Sequence, residues 1–250
     1  MIEIDRDFLS LTDRLRAILC TVADEHGRRA VSPSERQPAP KLLQQALDQL
    51  LAVLERACGD SAATSALRPD LRPDDVSRLG DYGLSLLDDL YTWTATFNLV
   101  EEQQDVQAVT VSLALWVARR SGQILTLEPL VNALAAIANR VREPAVLRRL
   151  CAVMGTVLDA AHPRIQQDLD KSNPGRPWRV LNLNRAIVAT RSHDAKLMIV
   201  AFDRLIRDLP EEAPAFFREG MRQMQELNYP PHVRHVMQQY LRQWSGRRLH

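Results

Sequence analysis

The chain has 250 residues, 46% of them apolar and 25% charged, the balance of an ordinary globular protein long enough to enclose a core. A net charge of +1 excludes a chain of strongly single-signed character. Charge is nevertheless uneven: residues 1–110 carry 11 Lys/Arg against 19 Asp/Glu, and residues 111–250 carry 21 against 12. An acidic partner or a nucleic acid would be steered to the second part.

The N-terminal "MIEIDRDF" has no apolar run of the kind a secretory leader needs, and an amphipathic helix is expected at 4–25. Pro33, Pro38 and Pro40 make 27–40 a linker, so the expected division is an N-terminal helix over 1–26, that linker, and a single all-α domain over 41–250. Helices are expected next at 41–58, 73–98 and 101–121. Leu79, Gly83, Leu86, Leu90, Trp93 and Phe97 fall on one face of the second of these, and Val106, Val109, Leu113 and Trp116 on one face of the third. A second irregular connection runs over 59–73.

Further helices are expected at 127–142, 144–160, 163–171, 177–192, 194–208, 211–227 and 231–244, with Pro177 placed as a first-turn proline. No segment keeps a period of two with β-branched and aromatic enrichment, so the fold class is all-α. Eleven helices with short connections after residue 100 are expected to form stacked antiparallel pairs, an α-solenoid-like arrangement; the alternative is a compact helical bundle.

The stretch "FDRLIRDLPEEAPAFFREGMRQM" (202–224) sharpens that expectation. Phe202, Pro210, Phe216 and Gly220 keep the register of aromatic, proline, aromatic and glycine found in a tetratricopeptide unit, and Tyr229 suits the turn that follows. Over about 40 residues this resembles a degenerate tetratricopeptide-like or HEAT-like helical repeat. It departs from the pattern at Met198, Glu219 and Gln223. In such a unit Phe202 would fill the space between paired helices, and Gly220 would let them approach.

Chemistry-bearing patterns are sparse. Asp88–Asp89 on a helix resembles the aspartate motif with which isoprenoid synthases hold Mg²⁺, but Thr92 and Trp93 stand where further carboxylates belong. His232 and His235 are three apart without a third ligand nearby in sequence. The nine glycines are dispersed, so no phosphate loop is formed, and no nucleophile elbow is present. Neither catalysis nor a cofactor or metal is expected. Cys20, Cys58 and Cys151 are odd in number and widely spaced, which points to a reducing cytoplasm, and no apolar run is long enough for a membrane span.

Two C-terminal helices carry the candidate binding residues. In "PWRVLNLNRAIVATR" (177–191), Asn184 and Arg191 fall within an apolar arc defined by Val180, Leu181, Leu183, Ile187 and Val188. Polar groups on such a face must be paired or face a cavity, and with Arg185 they are expected to hold a carboxylate or phosphate. The stripe of Phe216, Phe217, Gly220, Met221, Met224 and Leu227 is wider than one neighbouring helix needs. Partner contact is therefore expected through Asn184, Arg185, Arg191, Phe217, Met221 and Met224. The expected function is a non-catalytic protein-interaction scaffold or adaptor that binds an acidic protein or peptide segment. Nucleic-acid binding by "NRVREPAVLRR" (139–149) and "GRPWRVLNLNR" (175–185) is the alternative, ahead of an all-α Mg²⁺ enzyme.

Overall fold

A computed structural model describes residues 11–29, 37–58, 71–169 and 171–245. Among these the chain is all-α, with eleven helices packed against their neighbours. They are α1 (Thr12–Arg29), α2 (Pro40–Cys58), α3 (Pro73–Thr96), α4 (Val100–Arg119), α5 (Glu128–Arg140), α6 (Pro144–Ala160), α7 (Pro163–Gln166), α8 (Pro177–Arg191), α9 (Ala195–Asp208), α10 (Ala213–Glu226) and α11 (Pro231–Ser245). Only Ile124 and Ala161 make an isolated β-bridge. No described helix is long and apolar enough to cross a membrane.

Six helices open on proline: α2, α3, α6, α7, α8 and α11. Proline suits that position because its fixed φ is already helical and the N–H it lacks would have no intrahelical acceptor. The other ends follow a less visible rule. Asn98, Ser121, Asp168, His193 and Asn228 all take a positive φ of 46–57°, closing α3, α4, the α7 turn, α8 and α10 without glycine.

Asp168 also explains a difference from expectation. The helix expected over 163–171 is one turn, because Asp168 leaves the helical region and its carboxylate pairs with Arg176. The expected helix at 4–25 lies partly outside the described residues; α1 continues to Arg29, into the expected linker.

Contacts gather the chain into two units, Met1–Ile137 with Asp159–His162, and Ala138–Leu158 with Pro163–His250. In the first unit α1 packs on α2, α3 and α4, and α2 packs on α3, closing four helices around one core. Helix α4 is buried from Val106 to Val117 apart from the half-buried Ala108, beyond the single stripe its periodicity marks. Gly83 allows α3 to approach closely, since a Cβ there would sit 2.7 Å from Leu113 Cδ2. Trp93 stacks on Phe97 with ring centroids 5.3 Å apart and donates from Nε1 to the Pro38 carbonyl at 2.9 Å. Asp81 accepts from the Leu125 and Thr126 amides at 2.9 and 2.7 Å, tethering that loop to α3.

In the second unit α8 pairs with α9 and α10 with α11, and α11 also packs on α9. Phe202 is fully buried against Phe216, Phe217 and Tyr240, with ring centroids 5.2–5.7 Å apart in edge-on geometry. A Cβ at Gly220 would meet Met237 Cε at 2.7 Å, so this glycine lets α10 close on α11. Asp194 caps α9 by accepting from the Lys196 and Leu197 amides at 3.1 Å. The loop before α8 is clamped by the buried Asp168–Arg176 pair, which is bidentate at 2.5 and 2.9 Å, with a further bond from Arg176 Nη1 to the Asn173 carbonyl.

Candidate functional site: a two-ended groove between α8 and α10

Helices α8 and α10 each pack on their own partner and run side by side in one direction. Arg179 joins Glu212 near their starts, while Arg191 and Tyr229 both border the space between them near their ends. Between them lies a groove of about 500 Å³. Leu183 and Ile187 line the α8 side, Ala215, Phe216, Gly220 and Met224 the α10 side, and Met237 of α11 also reaches it. Ile187 is 45% exposed and Leu227 66% exposed, an unusual setting for branched aliphatic side chains that share one concavity.

The polar groups around this apolar lining are unevenly matched. Arg179 holds Glu212 through both carboxylate oxygens, and its hydrogen bond keeps the Glu212 carboxyl below the usual range. Glu219 is bound by Arg222 and Gln223, chiefly Arg222, and is pulled down to about 2. Both groove carboxylates thus have cationic partners. At the opposite end Arg191 donates from Nη1 to the Ala138 carbonyl at 2.9 Å and from Nη2 to the Val141 carbonyl at 2.7 Å, closing the end of α5. Burial lowers the Arg191 pKa, and the neighbouring Arg142 lowers it further. No described carboxylate pairs with Arg191 or Arg142. Tyr229 completes this end; burial raises its pKa, against the opposing effect of Arg191. The groove is neutral where α8 and α10 begin and cationic where they end.

The six residues expected to contact a partner divide in this light. Arg191 and Met224 line the groove. Arg185 does not: it is buried, its Nε donates to the Cys151 carbonyl at 3.3 Å, and its guanidinium lies over Gly155, where a Cβ would stand 3.2 Å from Nη2. Phe217 is fully enclosed in the aromatic cluster and offers no outer surface. Asn184 and Met221 are half-buried and lie outside the groove lining. The expected apolar arc of α8 divides between two faces of the helix. Trp178, Leu181, Arg185 and Val188 point inward, while Leu183 and Ile187 border the groove. Ile187, read only as part of that arc, and Arg142, read only as part of the basic segment 139–149, were not expected as partner contacts. The signal for Ile187 was its i, i+4 spacing from Leu183; nothing local set Arg142 apart from the other arginines of 139–149.

The other patterns are placed as follows. Asp88 lines a separate cavity of about 250 Å³ in the first unit, with Tyr91, Gln107, Thr110 and Asn132. Burial raises its pKa, and Glu128 adds to the rise; Asp89 is raised by burial and then by Asp88. No three His, Cys, Asp or Glu among the described residues are grouped to hold a metal. His232 Nε2 lies 3.0 Å from the His193 carbonyl. Burial pushes the Cys151 thiol up to about 11, which leaves it un-ionised at neutral pH. Trp178, the aromatic residue within the basic segments, is buried and presents no stacking platform for a base. No protein-family model, no curated protein and no solved structure matches the chain.

Proposed function

We propose that the protein is a cytoplasmic protein-interaction scaffold whose α8–α10 groove receives a segment of a partner protein. One observation carries this reading: an open, apolar groove whose own carboxylates are paired and whose far end holds two arginines with no carboxylate partner among the described residues. Association gains most from apolar side chains removed from water, and fixed charge sets register and partner choice. Arg191, Met224, Ile187 and Arg142 are the proposed contact residues. The stacked pairs α8–α9 and α10–α11, with Phe202 and Gly220 at their joints, support a tetratricopeptide-like repeat as the scaffold. The unpaired state of Cys20 and Cys151 suits a reducing compartment.

A photo-crosslinking amino acid at position 187 tests the proposal. Discrete protein adducts are expected there, and none from the same probe at Arg207, on an exposed part of α9. Equal labelling at both positions would sink the scaffold reading.

A further inference from the structure

We infer that the occupant of the groove is an amphipathic α-helix carrying an acidic side chain at one end, seated with that carboxylate between Arg142 and Arg191. This inference rests on the scaffold reading above and specifies the chemistry of the partner segment.

Dimension comes first. Apolar lining residues on the α10 side run from Ala215 to Leu227, which at the helical rise corresponds to about 18 Å. A partner helix of about 12 residues covers that length and turns its side chains at i, i+4 and i+7 into the groove. The volume of about 500 Å³ suits a row of apolar side chains more than a whole backbone.

Backbone chemistry separates a helix from an extended segment. An extended strand needs hydrogen-bond partners along its length. The walls here are helices, whose main-chain groups are already bonded to one another. Of the polar side chains at the lining, Glu219 is held by Arg222 and Gln223, Thr190 donates to the Ala186 carbonyl at 2.9 Å, and Glu212 is held by Arg179. A helix satisfies its own backbone and asks the walls only for apolar surface.

Charge then fixes orientation. The Arg179–Glu212 end is neutralised internally, so it gives an ionic group nothing to gain. At the other end the Arg191 guanidinium is fixed by two carbonyls, and Arg142 stands exposed beside it with no counter-ion among the described residues. A carboxylate placed there meets two cations, one of them held rigid. A basic or neutral end in the same place leaves both uncompensated.

The test is selection of binders from a random 16-residue peptide library displayed against the immobilised full-length chain, with counter-selection on Ile187→Glu. Position 187 is 45% exposed, and circular dichroism checks that the variant remains folded. Selected sequences are expected to share apolar residues at helical spacing with Asp or Glu at one end. For a synthetic binder, Arg142→Glu should weaken affinity about tenfold, and exchanging the peptide's acidic residue for Lys should restore it on that variant.

Binders that need Ile187 but ignore Arg142→Glu, or that accept a central proline, would overturn the acidic helix and leave groove recognition standing. A pool that binds the parent chain but is emptied by the Ile187→Glu counter-selection, or no binders at all, would overturn both. A thermal shift from dodecanoate that disappears in Ile187→Glu, with no peptide selected, would assign the groove to a small amphiphile instead.

Discussion

The two units solve the same problem, burying the apolar faces of helices, with opposite results at the surface. In the first, α1 reaches α2, α3 and α4, and the central helix α4 has no exposed residue between Val106 and Val117. In the second, helices are satisfied in pairs, and Leu183, Ile187 and Leu227 are left in a groove. A closed bundle uses its apolar residues internally, whereas stacked pairs leave a seam that a partner can fill. In the bundle, burial raises the pKa of the carboxyls of Asp88 and Asp89, and in the paired-helix unit it lowers that of the Arg191 guanidinium.

The largest expected effect tests whether the units are energetically separate. Asp168→Ala leaves Arg176 buried without its counter-ion, a change that costs about 3–5 kcal/mol. Hydrogen exchange should rise across α8–α11 and stay unchanged in α3 and α4. Equal loss of protection in both would break the comparison.

Truncation of aliphatic side chains sharpens it. Leu113→Ala removes a fully buried side chain from the bundle core and should cost about 2–5 kcal/mol in urea unfolding. Ile187→Ala, at the groove, should cost less than about 1 kcal/mol. Similar costs at both positions would mean that the groove is closed in solution.

The smallest effect concerns the opposite signs of the two charge sets. The Asp88 pKa is raised above the ordinary 3.8 by burial and Glu128. Its favourable state is the protonated one, fully present below that value and lost as pH rises through the folded pKa. Asp88→Asn should therefore stabilise slightly at pH 7, with the difference from the parent vanishing under acid conditions. The Glu212 pKa is lowered from the ordinary 4.5 by Arg179, so its contribution is present above 4.5 and lost as pH falls. Glu212→Gln should destabilise at pH 7, and that difference should fade with acid. Urea midpoints measured from pH 7 down to about pH 2.5 decide both signs.

Much of the fold was legible because helix starts are announced locally. Pro73, Pro144, Pro163, Pro177 and Pro231 each stand at the first residue of a helix, where the sequence expectation put a start or came within one position of it. Helix ends were less legible. Asn98, Ser121 and His193 adopt a conformation usually left to glycine, and nothing in their neighbours announces it. The candidate site was legible only in part. Met224 and Arg191 followed from the stripe and arc of their helices. Arg185 was misplaced because composition cannot tell a cation on the groove side from one lying over Gly155. Arg142 follows α5 and reaches the groove of α8 and α10, a juxtaposition set by tertiary packing alone.

The burial of α4 has a consequence for the chain before it folds. "AVTVSLALWVA", residues 108–118, contains no charge, proline or glycine and is rich in β-branched and aromatic side chains, the composition of a strand that self-associates. Burial inside the first unit removes it from that fate only once the helices around it are in place. Glu101, Glu102 and Asp105 before it, and Arg119 and Arg120 after it, act as gatekeepers during the interval. The segment that makes the bundle most complete is also the one whose premature exposure the cell has most reason to keep brief.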